Sequence, residues 1–109
     1  MATHPLDAMS AAAAHHHVLF ENDEVRVLDT NVKPGERTPV HAHEWPAALY
    51  VISWSDFIRR DPDGKVMVDS RDRKMGENGA GLWLPPLPPH SIENIGKTDL
   101  HIIAVEMKR

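Results

Sequence analysis

The run Asp61-Pro62-Asp63-Gly64 cuts the chain between "FIRR" and "KVMVDS", and turns of that kind recur throughout. Proline pre-sets one φ of a tight turn and glycine takes the positive φ that often follows, so such clusters end one extended run and start the next. "HVLFE" (17–21) turns at Asn22-Asp23 into "EVRVLDTNV" (24–32), and Pro34-Gly35 leads to the short "TPVHA". "AALYVISW" (47–54), "DFIRR", "KVMVDS", "LWL" (82–84), "HSIENI" (90–95) and "LHIIAVEM" (100–107) complete the series, with the Gly-rich "GENGAG" (76–81) before "LWL". Short apolar runs at this spacing predict an all-β sandwich or barrel. The last run is apolar on both faces at 102–105, which predicts cover on both sides, one of them from a partner subunit.

A chain of 109 residues forms one core of ordinary size. We divide it into an N-terminal arm, residues 1–16, with a short helix expected over 5–14, and a single barrel domain, residues 17–109. The formal charge of −4 and the scattered basic residues argue against nucleic acid as a partner. With no cysteine, disulfides, thiolate metal sites and thiol nucleophiles are excluded. Residues 1–28 hold one arginine or lysine, Arg26, and no apolar stretch of signal-peptide length, while no run anywhere is long enough to span a membrane. A cytoplasmic protein without membrane partners is the expectation. His15–His17 resemble a tag fragment but read as native sequence leading into a strand. No nucleophile-elbow serine or phosphate loop is present.

Of the eight histidines, His41 and His43 carry the sharpest signal. Alternate strand residues share a face and stand roughly 6.6–6.8 Å apart at Cα. Two such imidazoles can converge on one ion, but a metal site generally needs three or four ligands. His90 is the best third candidate, because the prolines of "LPPLPPH" stiffen the chain just before it. Coincidence of composition is the plain alternative for each histidine taken alone.

Taken in order, Gly35, His41 and His43, then Gly79, Pro85, His90 and Asn94, resemble the two sequence motifs of the cupin superfamily. The resemblance covers nearly the whole chain. It implies a small antiparallel β-barrel of the double-stranded β-helix, or jelly-roll, type. It also implies a homodimer and one divalent transition metal held inside the barrel. Carried onto this chain, the metal ligands are His41, His43 and His90. The family's first-motif glutamate is absent, since Ala47 and Ala48 occupy its place, and motif glycines are replaced by Trp54 and Leu87. The implied site is therefore three neutral histidines, a set similar to that of some cupin dioxygenases. Such a set leaves the ion electrophilic, able to accept charge from an anionic or chelating substrate.

Around that centre, small Ala47 leaves space, and Trp45, Tyr50 and Trp83 are candidate pocket walls, although alternation points Tyr50 outward. His101 is a candidate fourth ligand, more simply read as a satisfied interface histidine. Glu44 reaches the site only if the turn at Trp45-Pro46 re-aims it. Asn94 is expected to tie a turn, and Glu106 to form a strand-end salt bridge. The resulting expectation is a metal-dependent enzyme, dioxygenase-like or lyase/hydrolase-like, acting on a small molecule. The ion can be iron, zinc, nickel, manganese or copper, all of which imidazole suits. The alternative is a non-catalytic cupin that binds or senses a small ligand.

Overall fold

The computed structural model describes residues 6–108. The first five residues of the expected arm, and Arg109, lie outside that range. Nine strands follow a one-turn helix, α1 (Ala8–Ala11). They are β1 (His16–Glu21), β2 (Val25–Val32), β3 (His41–His43), β4 (Ala47–Ser53), β5 (Phe57–Arg60), β6 (Val66–Asp69), β7 (Gly81–Leu84), β8 (Leu87–Asn94) and β9 (Leu100–Met107). They form a five-stranded sheet, ordered β1-β2-β9-β4-β7, against a four-stranded sheet, ordered β3-β8-β5-β6, and every strand pair is antiparallel. Among the described residues no helix is long and apolar enough to cross a membrane.

The turns behave as their residues require. Glu36 N–H donates to Lys33 O at 2.9 Å while Gly35 sits at φ +81°, the geometry of a type II turn. Asp61 Oδ1 accepts from the N–H groups of Asp63 and Lys65, closing the β5–β6 hairpin. Leu87 and Trp54, which replace motif glycines, adopt no positive φ, so their side chains cost the backbone nothing.

Two strand boundaries differ from expectation. β8 begins at Leu87 rather than near His90, running through Pro88 and Pro89. The prolines fit because β5 pairs with β8 only over residues 91–94, and the β3–β8 ladder is irregular between His43↔Leu87 and His41↔His90. A missing N–H there removes no regular rung. The short third strand is His41–His43, which overlaps the expected "TPVHA" (38–42) only at His41 and Ala42.

Between the sheets, Leu28, Ala47 and Ala104 form one apolar cluster and Val32, Phe57 and Leu100 another. β9 is central. Its alternate residues Leu100, Ile102, Ala104 and Glu106 face the interior cavity, and Ile103 and Val105 on the other face are only half-buried. The outer side of that sheet keeps Tyr50, Ile52 and Trp83 exposed. Within the described residues β9 is thus better covered on its inner side, where Leu100, Ala104 and Glu106 are buried, than on its outer side.

Candidate metal centre

Alternation along β3 and the β3–β8 register bring three of the expected residues together. His41 and His90 are cross-strand partners, their ring centroids 4.6 Å apart. His43 lies 5.1 Å from His41 and 5.5 Å from His90. A fourth ring joins them from β1, with His16 at 4.9 Å from His41 and 5.7 Å from His43. One ring nitrogen from each of His16, His41 and His43 lies within 4.8 Å of the other two.

The hydrogen bonds decide which nitrogens are available. Nδ1–H of His16 donates to Ala12 O at 2.9 Å, that of His41 to Pro39 O at 2.9 Å, and that of His90 to Pro88 O at 2.8 Å. A carbonyl oxygen only accepts, so each Nδ1 must carry the proton and each Nε2 is left with a bare lone pair. His43 Nδ1 faces Glu106 Oε2 at 3.4 Å and follows the same pattern. Fixing one ring nitrogen on a carbonyl or carboxylate is how metal-ligating histidines are oriented and their tautomer selected. In His41 and His90 the acceptor is the carbonyl of a proline two residues upstream, so the same local device serves both strands.

Burial keeps His16, His41 and His90 neutral. It pushes His16 down to about 3 and His90 to about 3, and His41 to about 4. The neighbouring imidazoles add to the depression in each case, as does the Arg59 charge for His90. Neutral imidazoles with oriented lone pairs are the protonation state that metal ligation requires. The donor set therefore fits a divalent transition metal.

Behind His43 runs a buried ionic chain. Glu106, 1% exposed, accepts from Arg26 Nε at 2.6 Å, and Arg26 forms a two-pronged pair with Asp7 at 2.9 and 3.0 Å. Burial alone would raise Asp7, but the Arg26 hydrogen bonds and charge hold it below its ordinary value. Asp7 also accepts from Met9 N–H at the start of α1, and Leu6 O accepts from Ala42 N–H in β3. The arm is thus tied to the strand that carries His41 and His43, and at Ala12 it holds His16.

The remaining candidates fall in varied places. Ala47 lines the cavity. Trp45 instead packs on charges, its ring 5.0 Å from the Arg26 guanidinium carbon and 5.4 Å from Lys108 Nζ. Trp83 touches the cavity but stands 62% exposed, and Tyr50 points outward. His101 is on the outer face of β9, its Nε2 2.7 Å from Asp29 Oδ1, which removes it from the ligand set. Glu44 is not among the cavity residues. Asn94 does tie a turn, donating to Val32 O and Thr98 O and accepting from Ser55 Oγ and Gly96 N–H. Sequence reasoning missed His16 and the inward role of Glu106. The available signal for His16 was a run of three histidines entering a strand, where alternation turns at least one inward.

The two facing antiparallel sheets, with a histidine cluster between them, have the double-stranded β-helix fold seen in solved structures of RmlC-like cupin proteins. Among solved structures, a cupin domain from Bordetella pertussis superposes with a TM-score of 0.69 at 20% identity, covering 86% of this chain and 92% of that one. An RmlC-like cupin from Methanocaldococcus jannaschii gives 0.60 at 17%, over 84% and 77% of the two chains. A predicted oxalate decarboxylase from Thermotoga maritima gives 0.52 at 26%, over 84% and 77%. The polyketide cyclase RemF from Streptomyces resistomycificus gives 0.56 at 21%, over 86% and 64%. No family model and no curated protein matches the sequence.

Proposed function

We propose that the chain binds one divalent transition metal through the Nε2 atoms of His41, His43 and His90, with His16 as a fourth donor, and acts as an enzyme on a small anionic or chelating molecule. The observation that carries this is the uniform pinning of all four Nδ1 atoms on acceptor oxygens, with ring nitrogens of His16, His41 and His43 close enough to share one ion and the His90 ring beside them. When bound, the ion supplies Lewis acidity or, if iron, oxygen activation. The protein orients the imidazoles and holds those of His16, His41 and His90 neutral, while Glu106 faces Nδ1 of His43. Ala47 leaves room beside the cluster, and the cavity of about 270 Å³ admits only a compact ligand. The enzyme names of two structural neighbours, a polyketide cyclase and a predicted oxalate decarboxylase, favour catalysis.

A second reading rests on His16. Four protein nitrogens close a tetrahedral ion completely, which is the mark of a structural site. The protein would then bind or sense a small ligand without transforming it. Elemental analysis of untagged protein, beside the His41→Ala variant, tests the common premise. Near one equivalent of a transition metal, lost in the variant, is expected; no metal in either protein after reconstitution rejects it. Zinc insensitive to chelator would favour the structural reading. We also propose a homodimer, supported by the exposed Tyr50, Ile52 and Trp83 on the outer sheet face.

A further inference from the structure

Beyond the histidines the cavity lining is largely apolar, with residues such as Leu82, Leu84, Phe57, Leu100 and Ile102. Two charged residues interrupt it, Glu106 and Arg59. Glu106 is already committed to Arg26 and His43. Arg59 is not committed to anything among the described residues. Phe57 is buried opposite Asn94 and Arg60 reaches Glu93 at 2.7 Å, so alternation along β5 turns Arg59 inward. Its register partner is Ile92, two residues along the strand from His90. Diagonal neighbours of this kind stand roughly 7–8 Å apart, within reach of a long side chain.

The contrast with Arg26 is instructive. Arg26 is buried and meets two carboxylates, which raise its pKa despite burial. Arg59 is half-buried and experiences burial alone, which lowers it. A guanidinium stays charged in either setting. A partly desolvated cation without an anion is costly, and its planar fork of donors matches a carboxylate in two-pronged fashion. We propose that Arg59 anchors the carboxylate of the ligand, which is a small carboxylic acid whose apolar body packs against that lining and whose further oxygen reaches the histidine cluster. This rests on the histidine cluster being the binding end of the cavity.

Small acids test it directly. Salicylate and 3-methyl-2-oxobutanoate, each beside its neutral amide, are titrated calorimetrically into metal-loaded and metal-free protein. The variants are Arg59→Gln, Arg59→Lys and Arg59→Met. Binding of at least one acid over its amide is expected, weakened about ten- to a hundredfold in Arg59→Gln and partly kept in Arg59→Lys. Equal binding of acid and amide, an unchanged Arg59→Gln, or no binding of either acid overturns the assignment. Without ligand, Arg59→Met should melt no lower than wild type, since no protein partner is lost. A clear fall would make Arg59 a structural residue. Preference for the acid that persists without metal, in a protein that never takes up metal, removes the metal reading and leaves Arg59 standing. Metal uptake with indifference to Arg59 does the reverse.

Discussion

Glu106 faces Ala47 across the antiparallel ladder of β9 and β4, and both line the cavity. The carboxylate missing from the first cupin motif therefore has a counterpart on the neighbouring strand. It is not in the same chemical situation, because Arg26 holds one oxygen and His43 faces the other. Placed there, it orients a histidine and balances a buried arginine. A carboxylate so engaged leaves the imidazoles as the available donors.

Glu106→Gln should expose that double role. Arg26 keeps only Asp7, so the loss should fall at the lower end of the roughly 3–5 kcal/mol typical for breaking a buried ion pair. Metal affinity should drop about 10–100-fold, as for other groups that orient a metal-bound histidine. Denaturant unfolding and metal titration read the two effects separately. In the double variant Glu106→Ala with Ala47→Glu, affinity should recover more than stability, because the new carboxylate reaches the cavity from a strand that does not adjoin β2. Wild-type stability in Glu106→Gln would show that the Arg26 chain carries no net stabilisation.

His16→Ala and His101→Ala make a matched pair. The first removes a ring from the cluster and the second a ring from the outer face. Each tenfold loss of metal affinity should cost about 1.4 kcal/mol of metal-induced stabilisation at saturating metal. We expect that loss, read by thermal melting with and without metal, in His16→Ala alone. For His101→Ala, breaking a part-exposed pair should cost about 0–1 kcal/mol whatever the metal content. Equal metal response in the two variants would take His16 out of the ligand set.

The metal-free protein should lose stability in acid. His16, His41 and His90 titrate near 3, 4 and 3 when folded, against an ordinary value of 6.5. Between those values the unfolded chain binds more protons, so stability rises with pH. The contribution is complete above about 6.5 and is lost as pH falls toward 4 and below. Each ring tilts stability by up to about 1.4 kcal/mol per pH unit inside that window. Urea midpoints from pH 7 to pH 4 should fall steeply, and His90→Gln should flatten the slope. A bound metal, which competes with protons for the same nitrogens, should move the fall to lower pH.

For the homodimer, Trp83→Glu combined with Ile52→Glu should convert a dimer to a monomer in sedimentation, with the monomer still folded. Both side chains are exposed, so the single chain loses little. A wild-type protein that sediments as a monomer ends the proposal.

Much of this protein was legible in its sequence because the signals are local. The Pro-Gly and Asp-Gly turns set where strands begin and end, and alternation set which of their residues share a face. His41 and His43 could be placed on one side of β3 by counting alone, and the proline-flanked His90 by its resemblance to a motif. Tyr50 could be turned outward by the same counting. These statements need only neighbours within a few residues.

What tertiary structure decided is what depends on register between distant strands. His16 enters the cluster because β1 pairs with β2 so that His16 lies opposite Thr30, a cavity residue, and one residue of slip would have turned it out. Glu106 meets His43 across 63 residues of sequence, and Arg26 meets Asp7 and Glu106 across 19 and 80. Arg59 became visible as a cation without a partner among the described residues only once every strand around it had been placed. The sequence by itself determined the β architecture and three of the four clustered histidines. The fourth ring, the buried carboxylate and the cavity arginine follow from closure of the barrel, since only closure makes inward-facing residues of separate strands neighbours.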